Sequence, residues 1–453
     1  MKTYYLTFQV LPAIYNQQHD LLQGALASCW IVAEDSQSAY AKAKFFVSKD
    51  DWEINQLKSS PVEVTKENFL EKEIGLEQYI KAQEDGIAIF YTAWARDAST
   101  ITEPTTLPVL PSFRINLHEY IRKQKKLSQN GRCLHYDNGV GCNKIINAHS
   151  IQKNRSLSAI AVDGKVYEIS KNIGDLKNNK GKFIYKKNGI NKVSTFLGFC
   201  KKHDNELFEA IDNWPLLPTN QQVFLYAYRS LCREFFVKEN AYDLFDSQLS
   251  GTPDKHAVRD LLETTKLGTT FALENLKAQK FEYDSSLCKK FYTDIKYVLF
   301  ISKQKPFLAF SGLFYPDFDF MGNQLQDLGD FKKSLALITI CSAPMANNEW
   351  GFLFAWHKSS SNVCVAFMRS LATIIHDKKN LGDFLFRLAV SNCENIAISP
   401  EWWEKLPAEH KEQISTKVTS MIDLFEPIKP TYLMNGLEGI VQWSFEEVIC
   451  NME

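Results

Sequence analysis

The chain is predicted to be an α+β protein of several domains: a small N-terminal α+β domain, a central zinc-stabilised module, and a C-terminal region of mixed α and β. Three observations predict this. The 453 residues exceed what one ordinary core organises. Apolar residues alternate with period two in some stretches and recur at helical spacing in others. The charge is also unevenly placed. The chain totals -1, yet residues 114–204 hold 19 Lys and Arg against 6 Asp and Glu, a net of +13, while residues 1–110 sum to -6 and the remainder to -8.

A composition of 45% hydrophobic and 13% aromatic residues excludes a disordered chain. No apolar run approaches the roughly 18 residues of a membrane helix. The start, MKTYYLTFQVLP, lacks the pattern of a signal peptide, so a cytoplasmic location is expected. In that compartment the ten cysteines are read as thiols.

Residues 1–98 form the first expected domain. Tyr4, Leu6, Phe8 and Val10 alternate as a half-buried strand, and CWIVA (29–33) reads as another. Asp35 and Ser36 start a helix through Ala39, Ala43 and Phe46. Trp52 and Ile54 open a third strand, a helix follows at Leu76–Ala82, and GIAIFYTAWA (86–95) closes the set. This order suits an antiparallel sheet with helices on one face, a sensing or docking module. STITEPTTLPVLPSF (99–113), with its three prolines, reads as an extended linker.

The middle domain spans 114–214. A helix at Leu117–Leu127 leads into GRCLHYDNGVGCNKIINAHSIQKN (131–154). A hairpin-like IAVDGKVYEI (160–169) follows, and KVSTFLGFCKKHDNELFEAID (192–212) ends it. Cys133 and Cys142 bracket a turn containing Gly139 and Gly141, so both thiolates can face one ion. Cys200 and His203 form C-x-x-H where a strand ends and a helix starts. Zinc favours four such ligands in a closed tetrahedron. His135 and Asp137 lie inside the first loop and are alternative zinc or metal ligands, although the loop's polarity accounts for them. The basic excess predicts contact with phosphates, carried by Lys123, Lys125, Lys126, Lys153, Arg155, Lys201 and Lys202.

From 215 to 453 the reading is mixed α and β. Pro215 and Pro218 break the chain, and QQVFLYAYRSLCREFF (221–236) has helical spacing. KYVLFISK (296–303), PFLAFSGLF (306–314), ALITICSA (336–343) and WGFLFAWH (350–357) have strand composition. Helices are expected at 363–377, 381–390 and 400–423. Asp317, Asp319 and Asp327 concentrate acid in a surface loop, and WWEKLP (402–407) reads as a packed helix start.

The strand carrying His149, the intervening hairpin and the closing C-x-x-H helix resemble the ββα-metal fold of HNH-type endonucleases over about 80 residues. The resemblance implies that His149 is a general base activating water and that Asp204 binds a catalytic magnesium or manganese ion. It implies a metal-dependent endonuclease acting on nucleic acid, DNA before RNA, beside a structural zinc. The family pattern is broken at Ala148, where an acidic ligand often precedes the base. It is broken again at Ser194 and Thr195, which stand where an asparagine is usual; Asn147 and Asn154 lack the matching position. One such module between unfamiliar domains looks like effectors of bacterial anti-phage defence, with the flanking domains meeting a protein trigger or partner. The alternative expectation is a non-catalytic zinc module that holds nucleic acid or an acidic partner.

Overall fold

The structure is a computed structural model describing residues 2–13, 16, 19, 21–70, 73–95, 117–137, 139–170, 173–179, 182–251, 257–330, 333–377, 380–422 and 428–452. The chain divides into two compact units, Met1–Phe113 and Arg114–Glu453. The linker expected at 99–113 lies outside the described residues.

In the first unit β1 (Lys2–Pro12), β2 (Leu22–Ala33), α1 (Ser36–Lys49), β3 (Trp52–Val64), α2 (Glu73–Asp85) and β4 (Ile87–Ala95) follow one another. The strands form an antiparallel sheet of order β3-β1-β2-β4. Leu6, Phe8 and Val10 share one face with Ala25, Ala27, Cys29 and Ile31, and α1 covers it through Ala39, Ala43 and Val47. The Asp35 carboxylate accepts the Ser38 N–H at 2.7 Å and caps that helix. Trp30 lies one residue out of phase and so points to the opposite face. There it clusters with Phe69, Ala82 of α2 and Ala88. The two helices therefore cover opposite faces of the sheet, not one face as the pattern suggested. The helix period shows that a stripe is apolar, but not which side of the sheet it meets.

The second unit begins with α3 (Leu117–Gln129) and β5 (Ile145–His149), then a wide turn at Lys153–Leu157 that runs into the short α4 (Ser158–Ile160). Next come β6 (Lys165–Ile169), α5 (Ile173–Asn178), β7 (Tyr185–Gly189), β8 (Thr195–Cys200) and α6 (Lys201–Asp212). Two long helices follow, α7 (Asn220–Ser250) and α8 (Ala257–Cys288), then β9 (Ile295–Ser302), β10 (Leu308–Phe314), β11 (Ile338–Pro344) and β12 (Trp350–His357). The remainder is α9 (Ser361–His376), α10 (Leu381–Asn392), β13 (Ile396–Ile398), α11 (Pro400–Lys405), α12 (Ala408–Ile422) and β14 (Glu447–Cys450).

Eight of these strands make one antiparallel sheet of order β14-β9-β12-β11-β10-β13-β6-β7. Along β9, Val298 and Phe300 enter a core with Phe367 of α9 and Phe386 of α10. Leu299 and Ile301 enter the opposite core with Phe224 of α7 and Tyr283 of α8. Strands buried on both faces read as unbroken apolar runs, which explains their sequences.

Two boundaries move. The hairpin expected within 160–169 is present only as a tight reversal at Asp163–Gly164, where Val162 and Lys165 exchange backbone hydrogen bonds at 3.1 and 3.0 Å; beyond it β6 pairs with β7, residues 185–189, and with β13 near the C-terminus. The division expected between 214 and 215 falls inside the second unit, where Phe208 and Ile211 share a core with Leu216 and Val223. The long helix expected at 400–423 is broken into α11 and α12, because Pro407 disfavours a helical Leu406.

Candidate zinc centre and its flanking polar network

The site is built on β5, β8 and α6. Ile145 pairs with Cys200 and His149 with Thr195 in an antiparallel ladder, interrupted by a bulge between Ile146 and Ala148. The incoming segment lies along β8, with the Arg132 and Leu134 N–H groups donating to the Leu197 and Gly198 carbonyls at 3.0 and 2.9 Å. The following loop turns back through Gly139 and Gly141, at φ of 90° and 68°, conformations that an L side chain strains to adopt. The Cys142 N–H donates to the Gly139 carbonyl at 3.2 Å, which closes the turn.

This folding brings Cys133, Cys142, Cys200 and His203 together, with all four donor atoms within 4.8 Å of one another. His203 Nδ1 lies 3.4 Å from both Cys133 Sγ and Cys142 Sγ. Zinc bonds of about 2.3 Å to sulfur and 2.0 Å to nitrogen put tetrahedral edges at roughly 3.5–3.8 Å. The group could hold such an ion with little movement.

The electrostatics also suit a cation. Cys200 caps α6, its Sγ accepting the His203 N–H at 3.4 Å. Burial opposes its ionisation, but backbone N–H groups of His203 and Asn143 and the two neighbouring thiols outweigh burial and lower its pKa. Burial pushes Cys142 up to about 12, reinforced by its contacts with Cys133 and Cys200. A cation between Cys142 and Cys200 would stabilise both as thiolates. The other donors at the start of α6 are satisfied too: Lys201 N–H bonds the Lys144 carbonyl at 2.9 Å and Lys202 N–H the Asn143 side chain at 3.0 Å.

His135 is not one of the four. Its ring stacks on His203 at 4.0 Å and 9°, and its Nδ1 lies 3.4 Å from Asp137. With His203 these two make a second potential ligand group. The stack fixes the plane of the His203 ring, so His135→Ala is expected to speed zinc release to a chelator several-fold, while His135→Phe keeps the slow rate. Stopped-flow transfer to a chromogenic chelator measures both.

Beyond the knuckle, His149 ends β5 half-buried, with Nε2 3.0 Å from the Ile190 carbonyl. The carbonyl requires a proton on Nε2, which leaves Nδ1 as a free acceptor. Burial holds the imidazole pKa below its usual value, helped by Lys153 and Arg229 and opposed by Ile190. Ala148 is buried in the core with Phe196 and Phe199, so an acidic side chain there would enter an apolar cluster. Ser194 serves the backbone: its Oγ accepts the Ile151 N–H at 2.9 Å.

Asp204 lies in a network that includes residues the sequence reading passed over. Arg229 of α7, 2% exposed, grips Asp212 through two bonds of 2.8 and 2.6 Å and lies 4.0 Å over the Phe208 ring. Burial acts against the guanidinium, but Asp212 and Asp204 outweigh it and raise its pKa. Asp204 Oδ1 and Arg229 Nε are both buried without a hydrogen-bond partner. Burial raises the Asp204 pKa, Arg229 pulls it down and Asp212 adds to the rise. Among the described residues neither Asp204 nor His149 belongs to a group of three metal-ligand side chains. Arg229 stabilises the Asp204 carboxylate through space without a hydrogen bond, and nothing among the described residues supports a catalytic metal at Asp204 and His149. The signal for Arg229 was in the sequence, an arginine inside the apolar run VFLYAYRSLC.

The predicted basic residues separate into groups. Lys123 donates to Ser247 of α7 at 2.6 Å, and Arg155 donates to the Asn213 carbonyl at 2.8 Å. Lys153 is half-buried. Lys125, Lys126, Lys201 and Lys202 are exposed, as is Lys144, and none has an ion pair among the described residues. A Cβ on Gly141 would come 3.2 Å from Lys202 Nζ, so Lys202 lies over the Cys142 turn. On and beside β7 three lysines are neutralised, Lys182 by Glu412, Lys186 by Asp175 and Lys187 by Glu404, while Lys165 of β6 and Lys192 are exposed and have no ion pair among the described residues. The acidic loop residues are structural as well. Asp319 accepts the Met321 and Asn323 N–H groups, Asp317 that of Phe318 and Asp327 that of Gly329. In WWEKLP, Trp403 packs into the core beside Tyr185.

No helix among the described residues is long and apolar enough to cross a membrane. Compared with known proteins, the chain matches no family model, and no curated protein or solved structure matches it significantly.

Proposed function

We propose that the second unit holds nucleic acid against a zinc-stapled strand–strand–helix module, DNA before RNA, with the zinc as scaffold. One observation carries this reading: Lys144, Lys201 and Lys202, around the cysteine turn and the start of α6, are exposed together and make no ion pair among the described residues, whereas Lys182, Lys186 and Lys187 on and beside β7 are paired to carboxylates. Unpaired lysines attract phosphate and release its counterions, so affinity falls steeply with salt. Replacing Lys144, Lys201 and Lys202 by glutamine is expected to lower the slope of log affinity against log salt by about 2–3, roughly one per lost contact. Fluorescence anisotropy with a labelled duplex and a labelled single strand measures it. An unchanged slope places the contact elsewhere, and binding without salt dependence removes the reading.

A second reading, phosphodiester hydrolysis in the manner of an HNH-type endonuclease, is favoured by His149. A half-buried imidazole held through Nε2 by a carbonyl presents Nδ1 as a base. Because burial lowers its pKa, the base stays neutral below the usual value of about 6.5, and the acid limb of a rate profile would lie below that pH. The environment of Asp204 supports no divalent-metal step. Incubation of plasmid and single-stranded substrates with magnesium or manganese separates the readings: cleavage lost at least a hundredfold in His149→Ala supports hydrolysis. No cleavage, or equal cleavage by the variant, leaves the binding module alone. In either case the first unit and the C-terminal part of the second are assigned to docking a protein trigger or partner, and anti-phage defence is the proposed setting.

A further inference from the structure

Resting on the reading of the second unit as a nucleic-acid module, we propose that Trp214 is the platform on which an unpaired base of that nucleic acid stacks. Trp214 follows the end of α6 and is the most exposed of the nine tryptophans, at 63%. Its indole has no ring or hydrogen-bond partner among the described residues. An indole left in water forgoes one of the largest apolar burials that a side chain offers.

The turn that presents this ring is held from several elements. Gln222 of α7 donates to the Ala210 and Pro215 carbonyls at 2.8 and 3.3 Å and accepts the Leu217 N–H at 2.7 Å. From the turn after β5, Gln152 donates to the Ile211 carbonyl and Arg155 to the Asn213 carbonyl, the latter at 2.8 Å. Leu216 is fully buried, and its N–H donates to the Pro344 carbonyl at 2.8 Å. The backbone on both sides of Trp214 is thus pinned while the ring itself stays open. A ring on a fixed backbone has little freedom left to lose when a ligand stacks on it.

Charge narrows the ligand. Lys153 and Arg155 belong to the turn after β5 and make no ion pair among the described residues, and Arg155 reaches the residue before Trp214. Asp212 is neutralised by Arg229. Glu206 and Glu209 are exposed on α6, so a strand leaving the indole passes over the 153–155 turn and not along that helix. An aromatic face beside cations is how proteins hold single strands, because every unpaired base offers a face to stack and every nucleotide a phosphate. The bases of a duplex are already stacked on one another.

Fluorescence anisotropy with a labelled mixed-sequence single strand, the same strand without bases and a labelled duplex tests the proposal, using the full chain and its Trp214→Ala and Trp214→Phe variants. Trp214→Ala is expected to weaken single-strand binding at least about fivefold at every salt concentration, with the salt slope and the duplex affinity unchanged. Trp214→Phe should keep most of the affinity, and the abasic strand should bind the wild type and Trp214→Ala alike. The replaced side chain is exposed, so the thermal midpoint of the second unit should stay within about 1 °C. Single-strand binding by Trp214→Ala equal to that of the wild type overturns the platform and leaves the lysine contacts standing. An equal loss on the duplex or on the abasic strand overturns base stacking. Binding of neither strand nor duplex overturns the platform and the nucleic-acid reading together.

Discussion

Cys200→Ser is expected to release the zinc and to lower the thermal midpoint of the second unit by roughly 10–20 °C. Structural zinc contributes on the order of 10 kcal/mol to small metallo-domains, comparable with the entire stability of an ordinary domain. Cys200 is the ligand with most to lose: it is fully buried, it caps α6, and it pairs with Ile145 in the ladder to β5. Serine would retain a weak cap and forfeit the soft ligand. A unit as long as Arg114–Glu453 shifts by about 1.4 °C per kcal/mol at about 2.1 cal/mol/K per residue, so losing about 10 kcal/mol falls in the stated range. The transition of the Met1–Phe113 unit provides an internal reference that should not move. Differential scanning calorimetry with metal analysis of the same samples reads both effects. Zinc loss without destabilisation would mean that the fold around β5, β8 and α6 stands on packing alone.

Arg229→Met is the second large effect, expected to cost about 3 kcal/mol. Removing one partner of a buried ion pair strands the other charge and typically costs about 3–5 kcal/mol. The lower end applies here because the Asp212 side chain is 39% exposed and stays partly solvated. The buried Asp204 carboxyl, favoured by Arg229 and disfavoured by Asp212, would then lose its stabilising charge. The companion Asp212→Asn in the Arg229→Met background should recover part of the loss, and the coupling should reach about 1 kcal/mol or more. Chemical denaturation of the four members of this cycle measures it. An additive cycle would contradict a network that joins α6 to α7.

The two predictions rest on parts of the site that differed in how far the sequence disclosed them. The four candidate metal ligands were legible because glycine turns and a C-x-x-H at a strand-to-helix junction are local patterns with a chemical reason. Their convergence is long-range, however: the β5–β8 ladder, with the Arg132 and Leu134 bonds to β8, brings Cys133 and Cys142 to Cys200 and His203. Arg229 belongs to a helix that read as plain core, and its partner Asp212 lies 17 residues away across a chain reversal. Period and composition carry no information about such a pairing.

The same division holds for the fold. The element order of the first unit is the one that alternation and capping suggested, from β1 through β4. The placement of α2 under Trp30 followed from side-chain phase and was missed. In the second unit α8 went unread although Leu262, Thr269, Leu273, Leu276, Tyr283 and Leu287 are all buried along one side. Its polar interruptions hid a seam that shows only when aligned with α7. The joining of β6 to β13, more than 200 residues apart, has no local signature at all.

The most direct test of the account is the metal content of the purified chain, measured by plasma mass spectrometry with and without the ligands. The account predicts about one zinc per chain in the wild type, none in a variant with Cys133, Cys142, Cys200 and His203 all replaced, and retention in His149→Ala. A wild-type chain without zinc, or a four-ligand variant that still carries it, would contradict the account.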